Sequence, residues 1–150
     1  MAGFHLRPAQ PDDAPALIDL MHQSREAVMP GFPCLHSAEA DQAFFAHMIQ
    51  SQDVTVGLSE DSQLAGFMAL EPGWINQLYL HPDFFRQGLG ARLMAKAKAA
   101  HDQLELWAFQ HNAPARRFYQ SQGFRLAELT DGSGNEEGLP DLRLIWQRTT

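Results

Sequence analysis

Residues 84–93, FFRQGLGARL, constrain this chain more than any other stretch. Gly88 and Gly90 stand one residue apart, and Leu89, Leu93, Ala97 and Ala100 follow at steps of four, four and three. That spacing predicts an amphipathic helix entered through a tight turn. A turn of small residues ahead of a helix leaves N–H groups aimed at one spot, where the helix dipole adds partial positive charge. A phosphate or diphosphate is the natural occupant. The two glycines admit a close backbone approach, and Arg86 can add charge at the rim. The same pattern also serves as a tight turn with no ligand. Two named phosphate motifs are excluded. Ala91-Arg92-Leu93 lacks the Gly-Lys-Ser/Thr of a Walker A loop, and Leu93 stands where a dinucleotide fingerprint needs its third glycine.

The remaining segments supply alternating elements. Phe4–Ala9 reads as a short strand stopped by proline, and residues 11–28 as a helix that Asp12 or Asp13 can cap. MPGFPCLH is a break. Ser37 then opens a second helix with acids behind it in a capping-box-like arrangement. VTVGLSE and LAGFMAL form a hairpin pair around DSQ, and WINQLYL is a further strand ended by His81-Pro82. LELWAF is a strand. NAPARRFYQSQ is a short helix with Asn112 as cap and Pro114 in its first turn, stopped by Gly123. FRLAEL and LRLIWQ are strands joined by TDGSGNEEGLPD. There is no repeat, linker or low-complexity tract. Mixed runs of this kind indicate one α/β domain over residues 1–150, with a mixed, largely antiparallel sheet.

Composition narrows the partners. The chain has 150 residues, 45% of them hydrophobic and 19% charged, which suits one globular domain with its own core. A formal net charge of −7 argues against nucleic acid, which requires a basic face, and favours a small or cationic partner. The single cysteine, Cys34, excludes an internal disulfide and fits a reducing cytoplasm. The N-terminal MAGFHLRPAQPDD has no apolar run after a basic start, so no signal peptide is expected. No stretch approaches the roughly 20 apolar residues of a membrane span. The seven histidines show no metal-ligand spacing, and no metal is expected.

Two segments together, LYLHPDFFRQGLGARLM and HNAPARRFYQSQGF, resemble the GNAT superfamily of acyl-CoA-dependent N-acyltransferases. The family signature is Gln/Arg-x-x-Gly-x-Gly/Ala between the fourth strand and the third helix. A later segment has the form Asn-x-x-Ala-x-x-x-Tyr, with Gly-Phe after three further residues. Asn112, Ala115, Tyr119, Gly123 and Phe124 match that segment at every spacing. The first signature position departs: it is Phe85 here, with Arg86 one place later. The resemblance implies a sheet of about seven strands with four helices, splayed between strands 4 and 5. It also implies acetyl-CoA as cosubstrate and a small-molecule or peptide amine as acceptor. Pantetheine would lie in the splay against Leu78, Tyr79 and Leu80. Arg86, Gln87, Gly88, Leu89, Gly90, Ala91 and Arg92 would hold the diphosphate.

What the resemblance implies for catalysis falls first on Tyr119, at the family's position for protonating the leaving thiolate. A phenol with a pKa of about 10 stays protonated at neutral pH and can donate to a thiolate whose conjugate acid is near about 8.5. Tyr119 is equally suited to be an amphipathic core residue. Asn112 caps its helix, contacts pantetheine, or both. The amine, with a pKa of about 10.4 for a lysine-like group, must lose a proton before attack. Candidate bases are Glu71 and Glu105, either of which could instead be a solvated surface acid; Gln77 and Tyr79 could hold a water, and His81 and His111 flank the cleft strands.

On the acceptor side, Glu136 and Glu137 lie in the glycine-rich loop TDGSGNEEGLPD and could attract a cationic amine or simply form a solvated hairpin tip. Phe32 and His36, in PGFPCLH, could line the acceptor site or anchor their loop. Direct transfer in a ternary complex is the first functional expectation. A non-catalytic acyl-CoA-binding regulatory module on the same fold is the second. A homodimer is common in the family, but no long exposed apolar element here demands one.

Overall fold

The computed structural model describes residues 3–149; Met1 and Ala2, where the leader reading begins, and Thr150 lie outside them. Seven strands form one sheet in the order β1-β2-β3-β4-β5-β7-β6. They are β1 (His5–Pro8), β2 (Asp53–Leu58), β3 (Leu64–Glu71), β4 (Trp74–Leu80), β5 (Gln103–Phe109), β6 (Arg125–Leu129) and β7 (Asp141–Gln147). Four helices accompany them: α1 (Ala14–Val28), α2 (Ala38–Ser51), α3 (Leu89–Ala99) and α4 (Ala113–Ser121). Every strand pair is antiparallel except β4 with β5. This is the mixed, largely antiparallel architecture that the sequence predicts. Among the described residues, no helix is long and apolar enough to cross a membrane.

The helix ends follow local chemistry. The Ser37 Oγ accepts the Ala40 N–H at 3.1 Å and starts α2. The Asn112 Oδ1 accepts the Ala115 N–H at 3.2 Å and starts α4, and Gly123, at φ +90°, ends it. The first helix departs from expectation. Asp13 occupies its N-cap position but makes no side-chain cap bond. A 3-10 turn, Pro11–Asp13, precedes the helix, and the Asp13 carboxylate takes Arg7 at 2.8 and 3.0 Å and the Gln10 N–H at 2.7 Å. A bidentate guanidinium outcompetes a single backbone donor for that carboxylate, and Arg7 holds the Asp13 pKa below the ordinary carboxylate range.

The sheet separates two cores. On one face, Leu17, Leu20 and Met21 of α1 and Phe45 and Met48 of α2 pack on Val54, Val56, Phe67 and Ala69. On the other, Leu89, Leu93, Met94 and Ala97 of α3 and Tyr119 of α4 pack on Met68, Leu70, Leu104 and Leu106. Two glycines make the second core fit. Gly57 and Gly66 face each other across β2 and β3. A Cβ on Gly57 would sit 2.7 Å from the Leu89 Cδ1, and one on Gly66 would sit 3.0 Å from the Leu89 Cδ2. The missing side chains form the socket for Leu89, the first residue of α3, which is 0% exposed. Leu89→Ala should empty that socket and cost about 3 kcal/mol. Chemical denaturation of the two proteins measures the difference, and a loss below about 1 kcal/mol would mean that the socket collapses freely.

Candidate active site

The β4–β5 contact holds at one point only. Trp74 pairs with Glu105, and the Glu105 N–H donates to the Gly73 carbonyl at 2.9 Å. Beyond it no pairing joins the two strands. The alternation of hydrogen bonds in the flanking ladders settles what faces the gap. The His81 N–H donates to the Ala65 carbonyl at 2.8 Å, so odd-numbered residues at this end of β4 pair with β3 and the main-chain groups of Leu78 and Leu80 turn toward β5. On β5, the Gln110 N–H donates to the Pro140 carbonyl at 2.9 Å, so even-numbered residues pair with β7 and Trp107 turns its main chain toward β4. A cavity of about 870 Å³ occupies the gap. Its walls come from α1 on one sheet face and from α3 and α4 on the other, so it passes through the sheet.

At one end lies the glycine turn. Arg86 and Gly88 both adopt left-handed backbone, at φ +62° and +91°. A Cβ on Gly88 would meet no atom within 4 Å. The Phe85 N–H donates to the Pro82 carbonyl and the Arg92 N–H to the Gly88 carbonyl. Among the described residues, the six N–H groups between them, from Arg86 to Ala91, meet no protein acceptor. Unpaired amides in succession at a helix start make an anion cradle. The side chains there divide. Arg86 lines the cavity, and Arg117 of α4 joins it, a cation that the sequence reading missed. Gln87 turns back to the Asp83 carbonyl at 3.1 Å, Arg92 donates to the Phe4 carbonyl, and Leu89 fills its socket. Gln87 and Leu89 can meet an anion through the main chain only, and Arg92 is committed through its side chain and its N–H alike. Gly90 serves a second purpose, because a Cβ there would sit 3.2 Å from the Phe118 ring; α4 crosses α3 at that point.

Tyr119 lies across the gap, 8% exposed, between the rings of Phe118 and Phe124 at 5.4 and 5.6 Å. Both Tyr119 and the capping residue Asn112 line the cavity. Burial, aided by the nearby Tyr79 phenol, pushes the Tyr119 hydroxyl well above its ordinary pKa. The group therefore stays protonated throughout the neutral range.

The β4 strand shapes the opposite wall through a bulge. Ala69 faces Gln77 while Leu70 faces Ile75, leaving Asn76 as the extra residue. The slip sends Ile75 to the α3 side of the sheet and Tyr79 to the α1 side. Gln77, two residues before Tyr79, shares its face. The Gln77 Oε1 is buried with no hydrogen-bond partner and belongs to a residue that lines the cavity. The Tyr79 hydroxyl accepts the Arg25 Nε–H at 3.1 Å.

The expected acids sit elsewhere. Neither Glu71 nor Glu105 lines the cavity. Glu71 accepts from the Asn76 amide at 2.6 Å, and Glu105 is ion-paired to Arg143. The His81 ring caps the 3-10 turn after β4 through the Asp83 N–H at 3.1 Å, and His111 is exposed on the loop before α4. Phe32 packs edge-on against Phe109 at 5.3 Å. His36 meets Glu136 at 2.8 Å, joining the α1–α2 loop to the β6–β7 loop at an exposed point. Glu137 lines a small side pocket with His22, Arg25, Cys34, His36 and Asp41. Among the described residues, no cluster of three or more His, Cys, Asp or Glu side chains is arranged to hold a metal ion.

The comparisons agree with this geometry. A family model for the acetyltransferase (GNAT) domain matches residues 51–126, from the end of α2 through α4 into β6. The chain belongs to the GNAT acetyltransferase family. It is 33% identical over 88 residues to the peptidyl-lysine N-acetyltransferase YiaC of Escherichia coli K12, a match covering 58% of this chain and 59% of that protein. The chain spans less than two thirds of the length of the first curated relatives it matches. Its fold is that of a GCN5-related N-acetyltransferase from Rhodopseudomonas palustris, with TM-score 0.83, 23% identity and 99% and 98% of the two chains covered. It also matches PaiA N-acetyltransferase from Thermoplasma acidophilum, solved in complex with coenzyme A, with TM-score 0.70, 20% identity and 97% and 99% coverage.

The raised Tyr119 pKa carries a stability signature. The folded chain holds that proton more tightly than the unfolded chain, so the contribution is full below the ordinary phenol range and is lost as pH rises through the folded value. The stability advantage of wild type over Tyr119→Phe should therefore shrink above a pH of about 10. Denaturation of both proteins at about pH 8 and again at about pH 10.5 checks this; a difference that does not change with pH would contradict it.

Proposed function

We propose that this protein transfers an acetyl group from acetyl-CoA to a primary amine in a ternary complex. The observation that carries the reading is the run of six unpartnered amides, Arg86 to Ala91, opening onto a gap in the sheet that leads to Tyr119. The residues present fit a nucleotide thioester. The amides and the Arg86 and Arg117 side chains suit a diphosphate, and the free main-chain edges of Leu78, Leu80 and Trp107 suit an amide-bearing arm laid between them as an extra strand. When bound, acetyl-CoA supplies an acyl group activated as a thioester.

The chain's own groups do the rest. The Leu78 N–H donates to the thioester carbonyl oxygen, where negative charge develops. Gln77 Oε1 accepts from the attacking amine or its water, and Tyr79 lies beside it on the same face. Water takes the amine proton, since neither Glu71 nor Glu105 reaches the cavity. The C–N bond forms as the C–S bond breaks, and the Tyr119 O–H donates to the departing sulfur and is restored from solvent. The burial that raises the phenol pKa keeps the O–H protonated and available as a hydrogen-bond donor to the sulfur. Asn112 holds the start of α4, and with it Tyr119, in register with the gap.

Calorimetry with acetyl-CoA and a thiol-release assay across an amine panel test the reading. Coenzyme A should bind, and turnover should require an amine. Tyr119→Phe should lower kcat by about 100-fold and leave acetyl-CoA affinity within about twofold. Binding without turnover on any amine would make the protein an acyl-CoA-binding module instead.

A further inference from the structure

We propose that Arg25 recognises a carboxylate on the acceptor, so that the acceptor is a small amino carboxylate of the amino-acid class. The inference rests on the acetyltransferase reading above and deepens it. Arg25 lies on α1 and lines both the main cavity and the side pocket next to it. Two aromatic side chains hold its guanidinium. The Nε–H donates to the Tyr79 hydroxyl at 3.1 Å, the Phe32 ring lies 4.6 Å away, and the Tyr79 ring lies 5.4 Å away. A guanidinium clamped on aromatic faces keeps a fixed orientation, and its two terminal nitrogens form a planar fork that matches a carboxylate.

That fork is uncommitted. Among the described residues, neither Arg25 Nη meets an acceptor and the side chain forms no ion pair. Other arginines are spent on the fold: Arg7 on Asp13, Arg143 on Glu105 and Glu128, Arg148 on Asp102. The nearby acids do not quench it. Asp41 is taken by His22 at 3.1 Å, Glu136 by His36, and Glu137 lines the side pocket without pairing to Arg25. The remaining cavity arginines, Arg86 and Arg117, belong to the α3 and α4 side of the gap, where the diphosphate cradle lies.

A second group complements the fork. The orphaned Gln77 Oε1 can only accept, and it projects from the face of β4 that carries Tyr79. An amine satisfies that oxygen, while a carboxylate on the same molecule satisfies Arg25. A plain alkylamine satisfies only the first.

The test is a thiol-release assay on the whole chain with acetyl-CoA. The panel holds the free amino acids and the β- and γ-amino acids, each with its decarboxylated amine and its carboxamide. At least one amino carboxylate should exceed both counterparts in kcat/KM by about 10- to 100-fold, the worth of one bidentate charge-assisted contact. Arg25→Gln should raise KM for that acceptor by a similar factor, leave KM for its decarboxylated counterpart unchanged and keep acetyl-CoA affinity. Equal use of acid, amide and amine by the wild type overturns the proposal without needing the variant. So does an Arg25→Gln variant that loses activity equally on all three, because Arg25 would then only tether the α1–α2 loop to β4. Acetyl-CoA binding with turnover of plain amines alone also overturns it, yet leaves the acetyltransferase reading standing. No binding of acetyl-CoA at all would remove both.

Discussion

The site depends on a strand pair that meets at one position and then parts. Parallel pairing is slightly less stable per residue than antiparallel pairing, and β4 and β5 keep only the contact at Trp74 and Glu105. Past that point the main-chain groups of Leu78, Leu80 and Trp107 face a gap instead of a neighbour. Buried amides without partners are expensive, so a gap of this kind is stable only when water or a ligand completes it. The neighbouring strands hold the gap open. β4 is fixed along β3, and β5 is fixed along β7 over its whole length. Each half of the sheet is fully paired on its outer side, and the unsatisfied edges concentrate where an extended, amide-bearing molecule can supply what is missing.

The same economy governs the anion cradle. Leu89 is simultaneously the first residue of α3 and the plug of the Gly57–Gly66 socket. Its burial anchors the helix start against β2 and β3, and that anchoring keeps the preceding turn at its left-handed angles. A turn containing a non-glycine residue at φ +62° stores strain, and it persists only where the surroundings over-determine it. Core packing thus fixes the direction of the free N–H groups. The side chains of Gln87, Leu89 and Arg92, which the resemblance groups with the ligand, instead brace the scaffold that presents the free amides of residues 86–91.

Much of the fold was legible in the sequence because its signals are local. Ser37 and Asn112 cap helices through bonds to residues three positions on, and Gly123 stops one by adopting positive φ. The pattern of seven strands and four helices follows from apolar periodicity punctuated by turn residues. What escaped depends on pairing between distant segments. Asp13 fits a cap by sequence, but Arg7 claims its carboxylate across the 3-10 turn. Glu105 fits a catalytic base by sequence, but it pairs with Arg143 on the adjoining strand and lies outside the cavity lining. The β4 bulge at Asn76, which decides where Gln77 and Tyr79 point, leaves no mark within WINQLYL. Arg25 did leave a trace. Leu17, Met21 and Arg25 fall at steps of four, so a guanidinium continues the apolar stripe of α1. A charge on a buried stripe is uncommon enough to ask what it faces.

Placing that charge beside Tyr79 also sets the electrostatics of the gap. The chain carries a net charge of −7, yet the cavity is lined by three arginines and no carboxylate. The acids are held at its margins, paired to Arg143, His22 and His36 or turned into the side pocket. An interior of this sign suits an anionic ligand. The cavity's charge is thus set by guanidinium groups whose anionic partners it does not itself contain, and Glu71 and Glu105 lie outside its lining.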